Sequence, residues 1–414
     1  MICLKQGTRM VQTLNNKKEH LFALYNNTLN KRIEINYIGA KLLFLLNKGR
    51  LDSDKIMKLS FIKELIDLGF IIDSSEYENS TILKKCSERY PLTALTLELT
   101  NQCNLNCLHC YGSYGSEQSK QYMSFDWIKS NLSEFNKLHV LKIALTGGEV
   151  TLHPKFCEIV QLLLHNGFDL TIFTNGYNID IIRKMLNETR NYYFTIKISC
   201  DGPESVHNSI RKNSKSYAHV ISLLDLLTSF PNVKTYISTV VMPKNIGYIK
   251  DFHNWINRNY PDFIHTMDLV FPYGNGKDNC FNLSDLDWVK REIPELFRYT
   301  ESQHSRVRCT GGITQCTVSP IGDIKICNAA CSRKFLFKFN AFDKSLSYSW
   351  KHCGKTISGY RKEKFKHTND CKKCNLQKKC KMIDCRVMAD LYKNSTQCSN
   401  PITCIAAKEY FKGK

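Results

Sequence analysis

The sequence predicts a mixed α/β chain. Its middle is a parallel sheet of repeated βα units, with a small unit before it and a cysteine-rich unit after it. Three observations carry this expectation. First, 414 residues exceed one typical domain. Second, between residues 91 and 270 segments with an apolar period of two alternate with segments of helical period, the pattern of βα units. Third, eleven of the nineteen cysteines fall after residue 305: Cys309, Cys316, Cys327, Cys331, Cys353, Cys371, Cys374, Cys380, Cys385, Cys398 and Cys404.

In chain order, residues 1–85 form the first unit. Residues 20–25 and 32–36 are apolar-rich runs around Asn26-Asn27 and read as a hairpin. Short helices follow at 40–46, 52–57 and 61–68, stopped by Gly49 and Gly69, then a short strand at 70–72. Residues 76–90 are polar and read as a linker.

The core, 91–300, begins with a strand at 92–100, where Leu95, Leu97 and Leu99 alternate with Thr96, Glu98 and Thr100. Ser124 caps a helix with Ile128, Leu132, Phe135 and Leu138 on one stripe. Strands are expected at 140–145, 170–174, 193–199, 234–241 and 263–270, and helices at 155–166, 179–186, 217–229 and 249–259. Six βα units are too few for a closed eight-unit barrel.

Chemistry concentrates where these strands end. Cys103, Cys107 and Cys110 follow the first strand with the spacing C-x3-C-x2-C. Three thiolates on one loop can hold three irons of a cubane cluster and leave the fourth open. A zinc site with a fourth ligand from elsewhere is the competing reading. Gly147, Gly148 and Glu149 follow the second strand, Asn175 and Gly176 the third, and Ser199, Asp201 and Gly202 the fourth. The two glycines let backbone come close to a ligand. Beyond residue 305, Gly322 turns a hairpin between two apolar runs, and Cys371-x2-Cys374-x5-Cys380-x4-Cys385 follows. A zinc ribbon is the plain alternative for those last four thiols.

These motifs, in this order, resemble the radical S-adenosylmethionine (SAM) enzymes. The resemblance implies a partial (β/α)6 TIM barrel. Cys103, Cys107 and Cys110 would hold a catalytic [4Fe–4S] cluster whose open iron chelates SAM, the source of a 5′-deoxyadenosyl radical. Gly147, Gly148 and Glu149 match the GGE motif at the SAM amino group. Asn175, Ser199 and Asp201 match positions beside the cluster and the SAM ribose and carboxylate. Arg211, which ends the run D-G-x4-H-x3-R through His207, would pair with the SAM carboxylate. No equivalent of the family's adenine-contacting glycine motif follows the fifth strand.

Residues 305–414 resemble the SPASM extension, which carries two auxiliary [4Fe–4S] clusters. Transfer of its pattern assigns Cys309, Cys316, Cys327 and Cys385 to the first, and Cys371, Cys374, Cys380 and Cys404 to the second. The x4 before Cys385 departs from the usual x3, and Cys398 competes with Cys404. The remaining cysteines, Cys3, Cys86, Cys157, Cys200, Cys280, Cys331 and Cys353, are expected as free thiols. Residues 1–85 resemble a winged helix-turn-helix and, more closely, the PqqD-like domains that recognise leader segments of ribosomally made peptides by adding them as a strand.

The implied function is a peptide maturase. Its partners would be a precursor peptide with a leader and an electron donor of flavodoxin or ferredoxin type. The product would be a side-chain cross-link, a carbon–carbon or ether bond to an aromatic ring or a thioether. The rivals are an anaerobic sulfatase-maturating oxidase of Ser or Cys, and an iron–sulfur redox-sensing DNA-binding regulator. The formal charge of +20 invites nucleic acid as a partner, but part of it offsets the anionic clusters that eleven ligand cysteines would form, so no nucleic acid is expected. No apolar run reaches the ~18–20 residues of a membrane span, and residues 1–18 lack a signal peptide's apolar core. A cytoplasmic protein without a membrane partner is expected, and there so many cysteines argue for metal rather than disulfides.

Overall fold

The computed structural model describes residues 2–14, 20–48, 50–51, 56–73, 81–82, 90–115, 119–297, 309–330, 332–363, 368–377, 380 and 385–412. Most of the expected 52–57 helix and of the 76–90 linker lie outside these residues, as do Cys86 and Cys331.

The first unit contains β1 (Ile2–Leu4), β2 (Thr8–Leu14), β3 (His20–Asn26), β4 (Lys31–Ile35), α1 (Tyr37–Leu46), α2 (Ser60–Asp67), β5 (Ile71–Asp73) and β6 (Thr81–Ile82). One sheet runs β4-β3-β2-β6, and β1 pairs with β5. The hairpin is where the sequence placed it. Its turn is set by Asn26, whose Oδ1 accepts the Thr28 and Leu29 amides, and by Asn30 in a left-handed conformation. Asn36 caps α1 by accepting the Gly39 amide.

The sequence reading missed β1 and β2. In β2, Thr8, Arg9, Met10, Val11 and Gln12 are all buried. Met10 packs with Phe22 and Leu43 under the helices, while Val11 packs with Ala23, Tyr25 and Leu141 of the core. A strand covered on both faces loses its alternation. Arg9 fastens the junction. Its guanidinium lies 3.9 Å from the Phe168 ring centre and donates to Asn166 O, Asn136 Oδ1 and Val140 O at 2.8–2.9 Å.

The core runs β7 (Ala94–Glu98), α3 (Phe125–Ser130), α4 (Leu132–Lys137), β8 (Lys142–Thr146), α5 (Phe156–His165), β9 (Asp169–Thr174), α6 (Ile179–Glu188), β10 (Phe194–Ser199), α7 (Glu204–Arg211), α8 (Ser216–Leu227), β11 (Val233–Val241), α9 (Ile249–Asn259) and β12 (Ile264–Leu269). From β7 to β12 each strand pairs in parallel with the next. Leu95, Leu97, Ile143, Leu145, Ile172, Ile196 and Ile198 bury their side chains against the helices. Their alternates Thr96, Glu98, Phe173, Lys197 and Tyr236 therefore line the inner face. The single helix expected after Ser124 is split at Asn131, and α7 is an additional helix inside the D-G-x4-H-x3-R run.

After α10 (Leu286–Glu292), β13 (Gln315–Val318) pairs in parallel with β7, and β14 (Ile324–Lys325) pairs antiparallel with β13. The expected hairpin thus extends the barrel sheet to eight strands, in the order β12-β11-β10-β9-β8-β7-β13-β14. Sequence periodicity could show that pair but not its partner strand. Lys325 forms an ion pair with Glu98 at 2.5 Å. Helices α11 (Leu346–Lys351), α12 (Gly354–Glu363), α13 (Asn369–Lys372), α14 (Arg386–Lys393) and α15 (Pro401–Tyr410) complete the chain. Trp350 anchors this region by donating from Nε1 to Tyr90 O at 2.7 Å. Among the described residues no helix is long and apolar enough to cross a membrane.

Candidate active site

The loop holding Cys103, Cys107 and Cys110 leaves the carboxyl end of β7 and is clamped by the segments that follow β8, β9, β10 and β12. The Gly148 amide donates to Thr100 O at 2.8 Å and the Glu149 amide to Gln102 O at 2.7 Å. A Cβ at Gly147 would stand 2.3 Å from Thr100 O, and one at Gly148 2.0 Å from Gln102 O. The glycines admit the chain's own cysteine loop, so their small size is explained without any ligand. Gly147 also adopts φ +136°, which disfavours a side chain.

Glu149 is fully buried and ties two loops together. Its Oε1 accepts Thr151 Oγ1 at 2.7 Å, Thr174 Oγ1 at 2.8 Å and the Thr151 amide at 3.2 Å, and its Oε2 accepts the Asn175 amide at 2.7 Å. Burial pushes its carboxyl up, against the pull of these donors. Asn175 in turn directs Nδ2 to Asn104 Oδ1 at 2.8 Å and toward Cys103 Sγ at 3.9 Å.

Asp201 organises the opposite side. Its Oδ2 accepts Arg211 Nε at 2.7 Å and meets His109 Nε2 at 2.9 Å, and its Oδ1 accepts the Val240 amide at 3.1 Å. Burial opposes ionisation of Asp201, but the Arg211 charge and then His109 outweigh it and hold the carboxyl well below its usual range. Arg211 Nη1 stands 3.6 Å from Cys107 Sγ. His207 accepts the Asp201 amide at Nδ1 and contacts Ser216 Oγ through Nε2 at 2.9 Å, and burial lowers its pKa to about 3. His207 is a neutral spacer that fixes the Asp201 backbone. Ser199 ends β10 on the inner face, opposite Ser238. So Asn175, Asp201 and Arg211 all reach the cysteine loop. Arg211 is committed to Asp201 and Cys107, whereas the sequence had matched it to a SAM carboxylate.

The sequence reading did not single out the loop after β12. Asn275 donates to Cys107 O at 3.0 Å, its amide to Cys110 O at 2.9 Å, and Asn279 Nδ2 to Leu108 O at 3.1 Å. A Cβ at Gly274 would meet Cys110 O at 2.5 Å. Asn245, fully buried, holds Asp201 O and Val240 O at 2.8 and 2.9 Å. Their signal was the density of Gly and Asn just past strands five and six.

The donor set fits an iron–sulfur cluster. Burial raises the Cys103 thiol to about 12 and also raises Cys107, where Arg211 opposes it. Buried thiols become thiolates when a metal takes the charge and N–H groups point at the sulfurs, and Asn175 and Arg211 supply such groups.

In the C-terminal unit Cys309, Cys327 and Cys385 share one neighbourhood. A hydrogen bond with Cys309, then burial, raise the Cys385 thiol, and Cys327 adds to it. The Tyr360 phenol is raised by burial and by the same three cysteines. Cys316 lies fully buried on β13, and its charged neighbour is Arg361. Cys371, Cys374, Cys380 and Cys404 line one cavity of about 480 Å³, and Cys398 is not among its lining residues.

Residues 97–256 match the family model of the radical SAM superfamily. The biosynthesis protein AlbA for the antilisterial bacteriocin subtilosin, from Bacillus subtilis, is 25% identical over 64% of this chain and 60% of its own length. The match therefore spans less than two thirds of that relative. The mycofactocin maturase MftC of Mycolicibacterium smegmatis is 25% identical over 62% of this chain and 70% of its own. Among solved structures, SuiB of Streptococcus suis bound to its precursor peptide SuiA superposes with a TM-score of 0.67 at 17% identity, covering 97% of this chain and 99% of SuiB. That likeness, at this identity, is one of fold.

Proposed function

Since residues 97–256 are a radical SAM domain, we propose that the chain is a peptide maturase that installs a side-chain cross-link in a ribosomally made precursor. The observation that carries this is the closed set Cys107–Arg211–Asp201–His109, which ties the cysteine loop to the D-G-x4-H-x3-R run. One relative named for bacteriocin biosynthesis and one named a mycofactocin maturase support the substrate class, and a fold shared with an enzyme solved bound to its precursor peptide agrees with it.

Cys103, Cys107 and Cys110 would hold the [4Fe–4S] cluster. When bound, it and SAM supply a 5′-deoxyadenosyl radical that removes a hydrogen atom from a side-chain carbon. The chain's residues do the rest. Arg211 and Asn175 direct N–H groups at two thiolates, Asp201 and Asn245 hold Arg211 and the end of β11, and Glu149 locks the loops after β8 and β9. The inner face, with Phe173, Tyr236, Lys197 and Asp268, positions the peptide. Forming a cross-link from two C–H or X–H bonds releases one further electron and proton. The thiols of Cys309, Cys316, Cys327 and Cys385, and of Cys371, Cys374, Cys380 and Cys404, would hold two auxiliary clusters as acceptors. The bond formed would be carbon–carbon or ether to an aromatic ring, or a thioether. An electron donor of flavodoxin or ferredoxin type would reduce the catalytic cluster, in a cytoplasmic setting that keeps thiols reduced.

Residues 1–85 would recognise the leader. Among the described residues, sheet order leaves the second edge of β4 unpaired, and an extended peptide can add there through main-chain hydrogen bonds. The DNA-binding alternative has no support in α2, whose charged residues are Lys63, Glu64 and Asp67. To test the proposal, the chain is co-expressed with each short reading frame flanking its gene and the peptides are weighed. Loss of two hydrogens from one of them is expected. Unchanged masses for all of them, from a chain that cleaves SAM, would reject it.

A further inference from the structure

The barrel end opposite the cysteine loop is open. A cavity of about 900 Å³ lies there, lined by the first residues of the core strands and by the β3–β4 hairpin of the N-terminal unit. Its charges are unbalanced. Lys31, Arg32, Lys142, Lys197 and Lys234 face Asp169 and Asp262. Lys142 is answered by Asp169 at 3.6 Å, and Lys31 donates to Leu68 O at 2.9 Å. Arg32, Lys197 and Lys234 remain, and among the described residues Asp262 at the cavity and Asp268, which the Lys197 charge reaches, offset only part of them. The ammonium groups of Lys197 and Lys234 lie 4.9 and 5.3 Å from the Tyr236 ring centre. Arg32 and Lys234 are exposed at the rim, whereas Lys197 sits deeper.

We infer that this cavity is a docking site for an acidic segment of the precursor peptide, continuous with the edge of β4 that no described strand pairs. Charge selects the occupant: a surplus of cations beside an aromatic ring attracts carboxylates and repels basic chains. Position selects it too. Lys31 and Arg32 are the first residues of β4 and also line the cavity, so a strand added along β4 runs directly into it. The leader would then be held at two points, by main-chain pairing along β4 and by carboxylates at the barrel base. Two linked contacts bind more tightly than either alone. Lys197 also carries the site inward, since its charge reaches Asp268 on the inner face.

The inference deepens the maturase reading and rests on it, so its test separates the two. Fluorescein-labelled octaglutamate and octalysine are titrated against the full chain with its clusters reconstituted, and binding is followed by anisotropy. The variant carries Arg32→Glu and Lys234→Glu, both exposed. The control carries Lys129→Glu and Lys250→Glu, exposed on α3 and α9, with the same change in net charge. Octaglutamate is expected to bind in a salt-dependent way and to weaken at least tenfold in the variant but not in the control, while octalysine fails to bind. Any peptide identified by co-expression is expected to compete with octaglutamate. Equal weakening in variant and control, or no binding of octaglutamate, overturns the site. A chain that binds octaglutamate as expected but modifies no peptide overturns the maturase reading instead.

Discussion

Arg211 joins Asp201 to Cys107, with Nε 2.7 Å from the carboxylate and Nη1 3.6 Å from the thiol sulfur. A guanidinium can do both at once because its donors are fixed in a fork; a lysine ammonium in the same place cannot. Hydrogen bonds to cluster sulfurs are among the factors that set reduction potential. Arg211→Lys is therefore expected to retain charge and iron but to shift the potential of the catalytic cluster to more negative values, read by an EPR-monitored titration. An unchanged potential together with weakened SAM binding would return Arg211 to the carboxylate role that the motif suggested.

Glu149 gives a second point where geometry and motif lead to different outcomes. Four donors converge on its two oxygens. In Glu149→Gln one end of the amide faces donors with a donor of its own, a loss of about 1–3 kcal/mol. A lower midpoint in denaturant at unchanged m-value is expected. Stability equal to wild type with a large loss of SAM affinity would show that the carboxylate serves the ligand directly.

Much of the core was readable because its strands carry apolar residues on one face and polar ones on the other. The bounds 249–259 for α9 coincide with the structure. What escaped was whatever broke that periodicity. β2 is buried on both sides, with Arg9 in the interior. α7 is short and polar apart from Val206 and Ile210, too few apolar residues to show a helical stripe. The cysteine loop was legible from its spacing taken together with the motifs at the next three strand ends. The Gly- and Asn-rich stretches past β11 and β12 mark Asn245, Asn275 and Asn279 as turn residues. An asparagine in a turn does not reveal which distant backbone it bonds, so their clamping was not legible.

The cavity lined by Cys404 but not Cys398 makes a separable forecast. Cys404→Ser is expected to reduce iron and sulfide by about one cluster per chain after reconstitution, and Cys398→Ser to leave both unchanged. The reverse result would move the fourth ligand to Cys398. Full iron in both variants would remove the second auxiliary site.

Histidine burial predicts a pH dependence of stability. His265 contacts Thr239 Oγ1 at 2.8 Å and His253 Nδ1 at 2.9 Å. Burial, and then His253, lower its pKa from 6.5 to about 4. The folded chain keeps it neutral, so between pH 6.5 and 4 the unfolded chain binds a proton that the native one does not. Its contribution is complete above pH 6.5 and declines as pH falls toward 4. Denaturant midpoints between pH 7 and 4.5 are expected to fall less steeply for His265→Gln than for wild type. Parallel curves would contradict this assignment.

The most direct measurement is of SAM cleavage. The chain is reconstituted with iron and sulfide without oxygen, reduced with dithionite and supplied with SAM, and 5′-deoxyadenosine is quantified. Cleavage is expected in the wild-type chain and its loss on replacing Cys103, Cys107 or Cys110 by alanine. Iron-loaded protein that yields no 5′-deoxyadenosine, or purified chain that carries zinc in place of iron, would contradict the account.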